Sequence, residues 1–247
     1  MKDFISFDEY DFTFATYDKV VNYASDYLGD RLDLDILQVL SVAFHSPRNL
    51  PSILGFKGEI VLKDYVSAWC KKYFNGFNHR PSLRDGKPPS TYPDPIIRIL
   101  LSSRLPALDT NMLDRIIGGH QLLMAIENLV GDILEEYLSV RLNAYGWTCC
   151  WGSTVDAVDF VHADGRLLQV KNSSNSENSS SSRVRFGTEI HKWFRRVASR
   201  PNTFQWDIIQ SVTGLAELTE EDFRSFAIDL IRNNPGCIYV DDNNPLV

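Results

Sequence analysis

The stretch Val155–Lys171 (VDAVDFVHADGRLLQVK) decides the fold. Two runs rich in β-branched and aliphatic residues, Val155 to Val161 and Leu167 to Lys171, flank the turn signal Asp164-Gly165, which predicts an antiparallel strand pair. Within the second run Gln169 and Lys171 are two residues apart and share one face, whereas Leu168 and Val170 point to the other. Val158 and Phe160 are expected to join Leu168 and Val170 in a core, leaving Asp159, Gln169 and Lys171 together. A two-residue turn would set Asp159 opposite Val170, on the wrong face, because a one-residue slip inverts every side chain. Bringing the three together therefore requires an odd-length loop or a bulge, most simply with Gly165 left-handed.

Working outward, Trp147 to Trp151 reads as a preceding strand. Before it a helix is predicted from about His120 to Leu142. Leu123, Ile126, Leu129, Val130, Ile133, Leu134, Tyr137 and Leu138 fill one broad face of that helix, and Glu127 falls inside it. A lone buried carboxylate seeks a metal or a cation, so Glu127 is expected to face the strand site, with Asp132 and Glu135 on the polar side and Glu136 at its edge. After the strand pair, Thr188 is expected to cap a helix through about Ala198, Trp206 to Val212 and Cys237 to Val240 read as strands, and a helix follows Thr219. Helix, three strands and helix suggest an α/β or α+β core with a mixed sheet.

The region 1–94 reads as helical, with amphipathic helices at Asp18–Leu28, Leu34–Phe44 and Leu62–Phe74. It ends in a Pro/Ser/Gly-rich segment, His79 to Asp94, taken as the boundary to a second domain, 95–247, that holds the site. Asp94 with Pro95 behind it is an N-cap signal for the run IIRILLSSRL.

The chain carries 25 Lys and Arg against 32 Asp and Glu, a formal charge of -7. The basic residues are not spread evenly: Gly165 to Arg200 holds eight basic and two acidic side chains, so this stretch is +6 and forms the footprint expected of a phosphate-binding surface. No run is long and apolar enough for a membrane span, the start MKDFISFDEYDF is unlike a secretory leader, and the chain is expected in the cytosol. Cys70, Cys149, Cys150 and Cys237 form no CxxC pair, which argues against structural zinc.

Phosphodiester hydrolysis needs a cation held by oxygen ligands and a lysine to orient the nucleophile or steady developing charge. Asp159, Gln169 and Lys171, with Glu127 as the upstream acid, form the smallest such set, the three oxygen-bearing residues being the candidate metal ligands. Directly after Lys171 comes NSSNSENSSSS, then Arg183, Arg185 and a basic segment. Asn172, Asn175, Ser176, Glu177, Asn178, Ser179, Ser180, Ser181 and Ser182 suit phosphate and base edges, and Arg183, Arg185, Lys192, Arg195 and Arg196 suit phosphate and guanine. These residues are read as DNA contacts. The competing readings are a non-catalytic DNA-binding protein on a degenerate nuclease fold, and a protein-interaction module in which the serine run is a tether.

AIENLVGDILEEYL, the GW pair, VDAVDF, LLQVKN and above all NSENSSSS followed by R-x-R and KWFR resemble the SinI-type Type II restriction endonucleases, over roughly Ile126 to Arg196. The resemblance implies a restriction-endonuclease-like core with a central mixed sheet flanked by helices. It also implies Mg2+, a homodimer acting on double-stranded DNA at a short palindrome of the GG(A/T)CC kind, and a cognate DNA methyltransferase in the same prokaryotic host. Asp159, Gln169 and Lys171 then stand at the acid, second-ligand and lysine positions of the family motif. Val158 replaces the usual proline and Gln169 the second acid, so ligation leans on Glu127. Pro93-Asp94 has no strand with an x-K pattern after it and serves helix capping.

Overall fold

The computed structural model describes residues 4–6, 14–45, 47–56, 59–88, 93–174, 190–200, 202–242 and 244–246. In chain order these form β1 (Phe4–Ser6), α1 (Phe14–Leu28), α2 (Leu34–Ala43), β2 (Glu59–Val61), α3 (Leu62–Asn78), α4 (Ile96–Arg104), α5 (Thr110–Leu142), β3 (Trp147–Cys149), β4 (Phe160–His162), β5 (Leu167–Ser173), β6 (Ile190–Arg196), α6 (Trp206–Thr213) and α7 (Glu220–Asn233). A four-stranded sheet in the order β3-β4-β5-β6 is central, antiparallel except for the parallel β5–β6 pair, and helices flank it. This is the mixed-sheet α/β architecture expected from the sequence.

The two sheet faces are covered by different helices. Phe160, Leu168, Val170 and Trp193 pack with Leu134, Tyr137 and Leu138 of α5 and with Ile209 and Phe223 of α6 and α7. Val161 and Leu167, on the opposite face, share a cluster with Val20, Val39, Val66 and Trp69 of α1, α2 and α3. The N-terminal helices thus complete the core beneath the sheet. Val158 belongs to this second cluster and not, as the alternation suggests, with Phe160. The reason is local: the chain from Val155 to Val158 forms a tight bridge with Ala157 at φ 58°, so the regular ladder begins only at Phe160.

Several elements differ from expectation. Ile190–Arg196 is a strand and not part of a helix, because Trp193 and Arg195 alternate with more open neighbours along a parallel ladder to β5. Ile190, Trp193, Phe194 and Val197 also fit a helical spacing, so short apolar runs of this kind are ambiguous in sequence. Trp206–Thr213 is a helix where the sequence suggests a strand; Trp206, Ile209 and Thr213 are its buried side and Gly214, at φ 77°, ends it. Cys237 closes a single 3-10 turn from Pro235 in place of starting a strand. Side-chain caps set the other helix starts, with Asp33, Asp109 and Thr219 accepting from the N–H groups of Ile36, Met112 and Asp222. Asp94 accepts from the N–H of Ile96 at the start of α4.

The segment after α3 is docked onto α5. The buried carboxylate of Glu136 accepts from the N–H and hydroxyl of Ser82 and pairs with Arg80 at 3.2 Å, and Arg84 pairs with Asp132. Asn234 donates to the carbonyls of Pro81 and Arg84 at 2.9 and 2.8 Å. These contacts hold the middle of α5, and with it Glu135, against the sheet.

Candidate active site

The His162 N–H donates to the carbonyl of Arg166 at 2.9 Å and closes the β4–β5 hairpin around the three residues 163–165, in which Gly165 has φ 93° and donates to the carbonyl of His162 at 2.9 Å. The odd length that the sequence demands is present. Phe160 pairs with Leu168 and Val161 with Leu167, and Asp159 stands just before the first of these pairs, where the regular ladder ends. The main chain of Asp159 is held from both sides: its N–H donates to the carbonyl of Leu168 at 2.9 Å, and its carbonyl accepts from Cys150 at 2.8 Å. Its carboxylate accepts from the N–H of Val170 at 2.7 Å. At this point β4 has left the ladder while β5 runs on to Ser173, and the carboxylate takes the place of the missing strand's carbonyl.

Three charged groups meet here. Asp159 lies within electrostatic reach of Lys171, and Glu135 on α5 within reach of both. Burial pushes the Asp159 carboxyl above its usual range, partly offset by the Val170 hydrogen bond and by Lys171. Glu135 is pushed up strongly, first by burial and then by the negative charges of Asp159 and Asp132, against which Lys171 and Arg84 act. Gln169, only 3 % exposed, is paired with Lys192 of β6.

On α5 it is Glu135 that lies within electrostatic reach of Asp159 and Lys171, and Glu127 is not brought there: its side chain is exposed. Glu127 is in phase with the inward stripe of α5, but before Leu129 the helix runs clear of the sheet and that stripe meets little core. Periodicity gives the angular position of a side chain, not the point where packing stops. Glu135 lies eight residues on, at the flank of the buried stripe that contains Ile133, Leu134, Tyr137 and Leu138. The sequence puts it on the polar side because the width of the covered face is set by the sheet, which the helix sequence does not contain. Glu136, expected at the edge, is buried.

Among the residues read as DNA contacts, Asn175, Ser176, Glu177, Asn178, Ser179, Ser180, Ser181, Ser182, Arg183 and Arg185 lie outside the described residues. The register of β5 and β6 sorts the others. Lys192 pairs with Gln169 and Arg196 with Ser173, so both are on the face of Gln169 and Lys171. Arg195 is on the opposite face, buried, with its guanidinium bonded to Glu220 at 2.7 and 2.8 Å and to the side-chain oxygen of Asn172 at 2.9 Å. It also lies over the ring of Phe223. Arg195 and Asn172 thus tie the sheet to α7, a role that the basic run alone does not reveal.

No cluster of three His, Cys, Asp or Glu side chains suited to a metal occurs among the described residues. Two carboxylates, Asp159 and Glu135, do come within reach of each other, oxygen donors of the kind that hard divalent cations accept together with water and phosphate. The mutual repulsion of Glu135 and Asp159, balanced mainly by one lysine, fits such a cation. No described helix is long and apolar enough to cross a membrane.

Comparison with known proteins converges on one group. The sequence model of the SinI restriction endonuclease family matches residues 30–232. The chain is 42% identical to the Type II restriction enzyme SinI of Salmonella infantis over 178 residues, 70% of this chain and 76% of that enzyme. It is 46% identical to the Type II restriction enzyme Eco47I of Escherichia coli over 148 residues, 58% of this chain and 64% of that enzyme, a little under two thirds of its length.

Proposed function

Because the chain belongs to the SinI restriction endonuclease family, we propose that it is a Type II restriction endonuclease: a homodimer that hydrolyses phosphodiester bonds in both strands of duplex DNA, with Mg2+, at a short palindrome of the GG(A/T)CC kind. The observation that carries this reading is the convergence of Asp159, Glu135 and Lys171 at the end of the β4–β5 ladder. In such an enzyme a methyltransferase protects the host's own sites, and the chain works in the prokaryotic cytoplasm.

Asp159, Glu135 and the Gln169 amide oxygen would hold the cation, which supplies neutralisation of phosphate charge and acidification of water. The remaining oxygen of Asp159 is available for this, since the other is committed to Val170. Lys171 positions the attacking water and steadies the charge that develops on the phosphate oxygens. Gln169 is neutral, and this spares the buried site a third negative charge before DNA arrives. Lys192 and Arg196, on the same face, supply cations for the backbone beside the scissile bond. The serine-rich run after Lys171 and the arginines at 183 and 185 contact the bases and phosphates.

Incubation of the purified chain with unmethylated phage DNA, with and without Mg2+ and beside Lys171→Ala, tests this. Discrete fragments that need both the metal and the lysine are expected, and sequencing their ends gives the target. Binding without fragments would mean a nuclease fold that has lost its chemistry, the reading that Gln169 in place of an acid also favours.

A further inference from the structure

The first half of α5 and the whole of α4 form a hairpin that the core does not cover. No residue of α4 is buried, and of the α5 residues before Leu129 only Leu113 and Gly118 are. Six of the exposed positions are nevertheless large and apolar. Ile96, Ile99 and Leu100 on α4, and Met112, Ile116 and Leu123 on α5, are 46–60 % exposed. Met112, Ile116 and Leu123 follow one helical stripe, spaced by four and seven residues. A soluble surface helix carries polar residues on its outer side, and this pair inverts that pattern.

We infer that the α4–α5 hairpin is the dimer interface, docking on the same hairpin of a second copy of the chain. This inference rests on the reading that the protein cuts both strands of a two-fold-symmetric target. Three observations select a second copy as the occupant. First, the six residues expose on the order of 600 Å² of apolar surface, at the upper limit for a monomer and close to the ~800 Å² that one partner of a standard interface contributes. Second, the charges of the hairpin balance, Arg98, Arg104 and Arg115 against Asp109, Asp114 and Glu127, so no net charge opposes a second copy. Third, the hairpin is continuous with the site: Leu123 and Glu135 lie on one helix, about 18 Å apart along its axis. A two-fold contact at one end of α5 thereby fixes the separation of two active sites across one duplex. Pro245 lies against Gly118, and Leu246 against Gly119, which falls in the same stripe as Ile116 and Leu123; with 45 % of its surface open, Leu246 adds a further apolar side chain to the patch.

Sedimentation equilibrium of the full chain without DNA tests this directly. The expected mass is twice the 28.2 kDa of one chain, and Leu100→Asp and Ile116→Asp should each weaken the dimer at least a hundredfold with unchanged far-UV circular dichroism. A second measurement leaves most of the surface intact. Leu123→Cys, spin-labelled, should give dipolar coupling between copies, the four native cysteines being buried. A monomeric native chain at micromolar concentration, a dimer indifferent to both substitutions, or absence of coupling overturns the inference. Dimers that do not cut DNA would leave it standing and remove the nuclease reading; monomers that cut would do the reverse.

Discussion

The carboxylate of Asp159 accepts a 2.7 Å hydrogen bond from the N–H of Val170, the residue between Gln169 and Lys171 on the next strand. One bond thus fixes the acid relative to both side chains with which it is proposed to act. It also separates two kinds of substitution. Asp159→Asn keeps an oxygen for Val170 and removes the anion, so the fold should persist while cleavage falls by about a hundred- to a thousandfold, the scale of losing one charge-stabilising group. Asp159→Ala should lower cleavage to the same extent and, by leaving the Val170 N–H unpaired, cost about 1–3 kcal/mol more in urea unfolding. Equal cleavage by Asp159→Asn and the native chain would remove Asp159 from the site.

Burial holds the Glu135 and Asp159 carboxyls above their ordinary values of 4.5 and 3.8, helped at Glu135 by the negative charges of Asp159 and Asp132. The native state therefore binds these protons more tightly than the unfolded chain. Their contribution to stability is fully present below the ordinary values and is lost as pH rises through the raised ones. Asp222, held low by Arg141, acts in the opposite sense, and its contribution is lost only as pH falls below the ordinary carboxylate range. In metal-free buffer the melting temperature is expected to decline from about pH 5 towards pH 8, and Glu135→Gln should flatten that decline. Mg2+ at the upper end should restore the native chain and leave Glu135→Gln unmoved. Calorimetry across this range checks both, and an unaltered slope in the variant would place the titration elsewhere.

The strand pair and its register are legible in the sequence because turn chemistry and period-two alternation are local, and Asp164-Gly165 with Phe160, Leu168 and Val170 contains all that is needed. What lies beyond the sequence is reach. Glu127 lies in the apolar stripe of α5 and Glu135 at its flank, and only where the sheet covers the helix decides which glutamate is enclosed. Likewise Arg195 and Lys192 read alike in a basic run, and only pairing to β5 sends them to opposite faces. The β6 segment reads as a helix because seven residues with Trp193 and Phe194 satisfy both periods.

That sorting of β6 has an energetic signature. Arg195 and Glu220 form a pair with side chains 9 % and 17 % exposed. Removing one partner of such a pair strands the other, so Arg195→Ala should cost about 3–5 kcal/mol, whereas Arg195→Met with Glu220→Gln should cost much less. Arg196→Ala is expected to leave stability within about 0.5 kcal/mol, as surface changes do. It should instead weaken DNA binding and lower the salt dependence by about one phosphate contact. Chemical denaturation alongside binding titrations at several salt concentrations distinguishes the two arginines. Reversed outcomes would mean that Arg195 faces the DNA.

Glycines give the sharpest contrast between packing and propensity. A Cβ on Gly76 would lie 2.1 Å from the Gly152 nitrogen and 2.6 Å from its Cα, and a Cβ on Gly152 would lie 2.3 Å from the carbonyl oxygen of Lys72. The last turn of α3 thus presses backbone to backbone on the turn that leads from β3 to Asp159. Neither side can yield by rotating a side chain, so Gly76→Ala should cost about 3 kcal/mol or more and lower cleavage by displacing that turn. Gly131, in the middle of α5, is the opposite case: a Cβ there would meet no atom within 4 Å. Gly131→Ala should therefore stabilise the chain by up to about 1 kcal/mol, the helix propensity difference between the two residues. Thermal unfolding of the two variants should move in opposite directions, and a tolerated Gly76→Ala would show that α3 does not bear on the turn.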